Sequence, residues 1–215
     1  MNDSIFNRDC RLCPRLATFL DAVHDTYPDY YCRPVGPFGD LQAKLLIVGL
    51  APGMHGANRT GRPFTGDYAG ILLYETLYKL GFSNRPVSVD ADDQLELYDC
   101  RITNSVKCLP PDNKPIGSEI NTCNAYLASE FELLPTPAVV LALGGIAHRA
   151  VIRALGLRQA DYRFGHAAEH EIEGRFLLLD SYHCSRYNTN TGRLTQAMFE
   201  SVFARARELI LRNAP

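Results

Sequence analysis

Leu45-Leu46-Ile47-Val48-Gly49-Leu50-Ala51-Pro52-Gly53 is the stretch that decides the fold. It is an unbroken apolar run of strand length that ends directly in glycine and proline. A run with no polar face reads as a strand covered on both sides, as in a parallel sheet. Three further runs have the same character: Cys100 to Ser105, Ala138 to Gly144 and Phe176 to Asp180. Helical patterns lie around and between them. Leu12 to Val23 tolerates Pro14 in its first turn. Ala69 to Leu80 carries Leu72, Leu73, Thr76, Leu77 and Leu80 on one stripe, and Gly81 closes it. Ser118 is the expected N-cap of a helix running to about Leu133, Gly145 to Leu155 ends at Gly156, and Thr195 to Arg212 is the last. Strands alternating with helices predict an α/β fold: a three-layer α/β/α sandwich around a central four-stranded, mostly parallel sheet.

In such sheets ligands bind beyond the carboxyl ends of the strands. Three of the four strand ends run straight into polar or glycine-rich sequence: Gly49 to Gly53, Thr103-Asn104-Ser105, and Asp180-Ser181-Tyr182-His183. That coincidence locates a candidate site.

A chain of 215 residues, with 46% hydrophobic and 21% charged residues, suits one domain spanning 1–215. It has no apolar run long enough for a membrane span and no basic, then apolar, leader. A cytoplasmic, nucleoid-associated monomer is the expectation. The net charge of −2 argues against indiscriminate coating of nucleic acid. It leaves room for a DNA enzyme, because the local field at the groove is what counts. Arg59 with Arg62, Arg186 with Arg193, and the group Arg8, Arg11 and Arg15 are candidates to supply that field.

The seven cysteines are Cys10, Cys13, Cys32, Cys100, Cys108, Cys123 and Cys184. An odd count points away from a disulfide framework and towards metal ligands plus spare buried thiols. Cys10-Arg11-Leu12-Cys13 is a C-x-x-C pair that needs two more thiolates, and Cys108 and Cys123 are available. Zinc and a [4Fe–4S] cluster both accept four thiolates, and spacing does not choose between them. Either would tie the N-terminal helix to the body of the sheet. Cys32, Cys100 and Cys184 read as non-ligands.

Three segments carry the chemistry. The first, Gly49 to Asp67, holds Gly49, Gly53, Gly56, Gly61 and Gly66 with Pro52 and Pro63, so backbone N–H groups can approach a ligand closely. The second is Thr103-Asn104-Ser105-Val106-Lys107-Cys108, and the third runs from His183 to Thr195. With these segments the chain resembles the uracil-DNA glycosylase superfamily, specifically the type B (family 5) iron–sulfur enzymes. The resemblance runs from Cys10 to the C-terminal helix and is most specific in Gly49–Asp67 and Asn188–Thr195.

The resemblance implies a four-stranded α/β/α fold, a [4Fe–4S] cluster on Cys10, Cys13, Cys108 and Cys123, and excision of uracil from DNA. Phe64 would stack on the flipped base, Asn104 would read its Watson–Crick edge, and His183 would lie beside O2. Asp67 would position water or stabilise the cationic sugar, and amides around Leu50 and Ala51 would help bind the leaving group. Arg59, Arg62, Ser185, Arg186, Asn188, Thr191 and Arg193 would contact DNA phosphates, with Cys184 to Tyr187 as the wedge. Each residue also has a plainer reading; Asp67, for instance, can simply N-cap the helix that begins near Ala69. Two departures stand out. Leu50 occupies a position where many superfamily members carry a polar catalytic residue, which agrees with type B enzymes and motivates a range extending to hypoxanthine and other deaminated bases. Cys184 follows the histidine where the family usually has proline.

Overall fold

The structure is a computed structural model and describes residues 6–212. The central strands are β2 (Leu45–Gly49), β3 (Cys100–Asn104), β4 (Ala138–Leu143) and β6 (Phe176–Ser181). They lie in the order β3-β2-β4-β6 and are all parallel. Their side chains alternate between two cores. Leu45, Ile47, Val139, Leu141 and Leu179 face one; Leu46, Val48, Val140, Ala142 and Leu178 face the other. This period of two with both faces buried is why the runs carry no polar face, the polar residues being Arg101 and those at the strand ends, Thr103, Asn104, Asp180 and Ser181.

The sheet has six strands rather than four. β1 (Phe38–Gly39) and β5 (Glu169–Ile172) add antiparallel edges beside β3 and β6. β1 is two residues long, and β5 reads Glu-His-Glu-Ile with its glutamates exposed. A short or charged edge resists pairing with other chains, and for the same reason it carries no apolar signal.

Helices α3 (Tyr68–Lys79) and α7 (Gln196–Arg212) cover one face, and α4 (Gly117–Phe131) and α5 (Gly145–Ala154) cover the other. Short helices α2 (Ala57–Thr60) and α6 (Arg186–Asn190) sit in the loops after β2 and β6. The start of α4 corrects the expected cap. Ser118 lies inside the helix, and Ile116 is the N-cap, its N–H donating to the Glu119 carboxylate at 2.9 Å. Glu119 also receives Arg15 Nε at 2.7 Å and Nη2 at 2.8 Å, so α1 (Pro14–Thr26) is pinned to α4.

The chain leaves β2 for β3 on one side and later enters β4 on the other, so the strand order switches beside β2. A crevice opens at such a switch, outside the carboxyl ends of the strands.

Candidate active site

A cavity of about 450 Å³ occupies this crevice, and Leu50, Ala51, Phe64, Asp67, Asn104, His183, Ser185 and Arg186 all line it. These residues come from the ends of β2, β3 and β6 and from the loop into α3. Phe64 and His183 form near-parallel walls, their ring centroids 6.0 Å apart at 29°.

Asn104 is buried, and its Oδ1 has no hydrogen-bond partner among the described residues. A buried amide oxygen left unpaired costs roughly 1–3 kcal/mol, which a ligand donor can recover. Gly49 makes room for it. A Cβ on Gly49 would lie 2.4 Å from Asn104 Oδ1 and 2.6 Å from Phe64 Cζ. Phe64 itself sits at φ +55°, a left-handed conformation rare for a bulky residue. Its carbonyl packs so tightly on α3 that a Cβ at Gly70 would fall 1.8 Å from the oxygen. Such strain persists only where neighbours over-determine it, and it clusters at functional sites.

Asp67 caps a helix and lines the cavity. It is the N-cap of α3, Oδ1 accepting from Gly70 N–H at 2.9 Å, and it faces the cavity. Burial raises its carboxyl above the ordinary value, while the Gly70 and Ala69 N–H groups favour the anion. A Cβ at Gly56 would collide with Asp67 at 2.6 Å, so that glycine also serves the site. Burial pushes the His183 imidazole down to about 4, which leaves it neutral near pH 7. Its carbonyl is held by the Asn188 side-chain amide at 2.8 Å.

The other expected DNA contacts divide. Arg186 stacks over Tyr68 at 4.8 Å and Arg193 over Tyr182 at 4.6 Å, both exposed. Asn188 and Arg193 line an adjoining cavity of about 240 Å³ that shares Leu50 and His183. Ser185 N-caps α6, and the exposed Thr191 hydroxyl donates to the Tyr187 carbonyl. Arg59 Nε donates to the His55 carbonyl at 2.9 Å, outside both linings.

Arg62 is a correction. It is buried, paired with Asp93 at 2.6 Å, bonded to Ser88 and the Ala91 carbonyl, and stacked over Phe38. Three of its N–H bonds hold the loop around residues 88–93, and its burial keeps it from the surface where a phosphate would lie. Arg11 and Arg15 are likewise paired, with Asp21 and Glu119. Tyr68 and Asn113 line the cavity and were not anticipated. Tyr68 adjoins Asp67, but nothing in its own type marked it, and Asn113 arrives from the turn after Cys108.

Cys10, Cys13, Cys108 and Cys123 line a separate pocket with Leu16, Pro34, Val106 and Tyr126. The Lys107 amide donates to Cys123 Sγ at 3.3 Å. Burial and the three neighbouring thiols push Cys108 up to about 12, so the group as it stands opposes ionisation and a bound cation would relieve it. Cys100 and Cys184 are buried in the main core, and Cys32 receives the Asn58 amide at 3.4 Å.

The family model described as the uracil DNA glycosylase superfamily matches residues 37–207. The chain belongs to that superfamily. Within the superfamily, it is 46% identical over 205 residues to the type-5 uracil-DNA glycosylase of Thermus thermophilus, covering 93% of each chain. To the type-5 enzyme of Pyrobaculum aerophilum it is 41% identical, covering 95% of this chain and 91% of that one. A type-4 uracil-DNA glycosylase from the same archaeon is 36% identical over 56% of this chain and 54% of its own. The type-5 enzymes are thus matched over nearly the full length, and the type-4 enzymes over about half to two thirds of this chain.

Proposed function

We propose that this chain, acting as one domain and as a monomer in the cytoplasm and on nucleoid DNA, is a uracil-DNA glycosylase of type 5. It excises uracil from DNA by hydrolysing the N-glycosidic bond and leaves an abasic site. The observation that carries this is the convergence of Phe64 and Asp67, Asn104, and His183, from three separate segments, on one cavity.

A base inside duplex DNA is unreachable, so the target must leave the stack. Phe64 then offers it a ring to lie on, and the Asn104 amide donates to one uracil carbonyl while accepting from the ring N–H. Cytosine presents the reversed pattern and is disfavoured. As the C1′–N1 bond breaks, its electron pair goes to the base and the sugar becomes oxocarbenium-like. The neutral His183 imidazole donates a hydrogen bond to O2, where the negative charge gathers, together with amides around Leu50 and Ala51. The Asp67 carboxylate stabilises the cationic sugar and orients the water whose oxygen bonds to C1′. The water's proton balances the departing base anion. Leu50, which has no polar side chain, favours acceptance of hypoxanthine and other deaminated bases.

Ser185, Arg186, Asn188, Thr191, Arg193 and Arg59 hold the phosphate backbone, contacts that position a duplex without reading it. In the wedge segment Cys184 to Tyr187, Tyr187 is 71% exposed, whereas Cys184 is buried.

Cys10, Cys13, Cys108 and Cys123 would hold a [4Fe–4S] cluster. Thiolates on one zinc ion stand roughly 3.8 Å apart, as follows from Zn–S bonds of about 2.3 Å. Four thiols lining one pocket could serve either group, and the resemblance to the iron–sulfur enzymes is what favours the [4Fe–4S] cluster. Its contribution is structural, tying the chain before α1 to the loop after β3 and to α4.

The test is incubation of the purified protein with uracil-containing duplex, followed by alkali. Strand scission at the uracil is expected. Intact strands at stoichiometric protein would overturn the reading.

A further inference from the structure

Among the described residues, three carboxylates with little exposure have a lysine or arginine beside them: Glu130 has Lys107 at 2.7 Å, Asp93 has Arg62, and Glu119 has Arg15. Asp180, on β6, is fully buried and differs. Among the described residues its carboxylate meets His148 Nδ1 at 2.8 Å, His170 Nε2 at 3.3 Å and the Gly165 amide at 3.4 Å. The three ligand-type atoms of His148, His170 and Asp180 all lie within 4.8 Å of one another.

The hydrogen bonds constrain what sits between them. His148 Nε2 lies 2.9 Å from the Tyr162 carbonyl oxygen. A carbonyl only accepts, so Nε2 carries the ring hydrogen. In the neutral imidazole Nδ1 then holds a lone pair, aimed at a carboxylate oxygen 2.8 Å away. Two lone pairs do not face each other at that distance without a cation between them. The arrangement is also that of a ligating histidine, whose second ring N–H is normally fixed by a backbone carbonyl or carboxylate.

We propose that His148 Nδ1, His170 Nε2 and Asp180 form a binding site for one divalent cation of the zinc class, separate from the four cysteines. Ligands about 2.0–2.1 Å from a tetrahedral centre stand roughly 3.3 Å apart. The observed separations, 2.8 Å from Asp180 Oδ1 to His148 and 3.3 Å from Oδ2 to His170, with all three ligand atoms within 4.8 Å, lie near that spacing. Water completes the fourth position, and half-buried His170 on the edge strand β5 gives the entry path. The site would be structural. It would join α5, β5 and β6 three residues before His183, and so stiffen the strand end that presents the imidazole to the base.

The test uses the full protein carrying its cysteine-bound cluster, cleared of loosely held metal with a chelator and then titrated with Co²⁺. Wild type is expected to take up one cobalt per chain more than His170→Ala, with a visible ligand-field band and unchanged iron content. Zinc at a hundredfold excess over its Kd is expected to raise the wild-type melting temperature by about 6 °C and to leave that of His170→Ala unmoved. His170 lies on an edge strand, so its removal spares the core even if Asp180→Asn fails to fold. Equal cobalt uptake by wild type and His170→Ala, including none by either, would overturn the proposal and leave a proton as the bridging cation.

Discussion

Gly49→Ala puts one methyl group where Asn104 and Phe64 meet. The added Cβ would stand 2.4 Å from Asn104 Oδ1 and 2.6–2.7 Å from Phe64 Cζ and Cε2, against ordinary contacts of about 3.5–4.0 Å between carbon atoms. Something must therefore move by about 1 Å. Gly49 is the last residue of β2, its register fixed against Asn104 of β3. The strand cannot yield without breaking the parallel ladder, so the displacement falls on the amide and the ring. A misplacement of about 1 Å can cost about 100-fold in rate, and a lost hydrogen bond to the base adds to that. A fall of roughly 10²- to 10³-fold in kcat/KM on uracil duplex is expected, with about 1–3 kcal/mol of stability lost to overpacking. Single-turnover kinetics on gel-resolved, alkali-treated product would measure the first and denaturant unfolding the second. Gly117→Ala, which meets nothing within 4 Å at the start of α4, is the matched control and should keep full activity. A Gly49→Ala enzyme within threefold of wild type would refute the role given to Asn104 and Phe64.

Other consequences are as direct. Asp67→Asn keeps an N-cap side chain but removes the charge, so kcat should fall by about 10²-fold or more at nearly constant melting temperature, whereas Asp67→Ala should lose a further ~1 kcal/mol of stability; equal stability and equal activity in both would leave Asp67 a cap alone. Arg186→Ala should lower the salt dependence of DNA binding by about one unit of log–log slope. Arg62→Ala should leave that slope unchanged and instead destabilise the fold by roughly 3–5 kcal/mol, because Asp93 is stranded. The folded His183 titrates near 4 against an ordinary 6.5, so between these values the unfolded chain binds the extra proton and stability drops as pH falls. The loss, at most about 3 kcal/mol, should vanish in His183→Gln when urea midpoints are compared at pH 7 and pH 4.5. Cys108→Ser should lose iron and its broad visible absorption and melt earlier, and retention of a full iron complement would remove Cys108 from the ligand set.

The outcome for the arginines separates two kinds of information. Arg59 and Arg62 are neighbours in one glycine-rich loop, and nothing local distinguishes them. Arg62 is buried because Asp93, in a segment of no evident pattern, folds back onto it. The edge strands were illegible for a related reason: β5 is stabilised by its ladder with β6, and with both glutamates facing solvent it has one apolar residue, Ile172, facing the core. The cap of α4 moved from Ser118 to Ile116 because Glu119, anchored by Arg15 from α1, supplies the acceptor instead.

The sequence by itself determined the four parallel strands, since burial on both faces leaves runs with no polar face. It also marked the strand ends whose side chains line the cavity, and four of the cysteines it named share one pocket. Only the tertiary structure decided how those groups act together. It closed Phe64 and His183 around one cavity, made Asp67 a cap and a cavity wall at once, and took Arg62 out of reach of DNA. It also gathered His148, His170 and Asp180 from three elements. Distances and burial between remote segments arise only when the layers pack, and no local pattern encodes them.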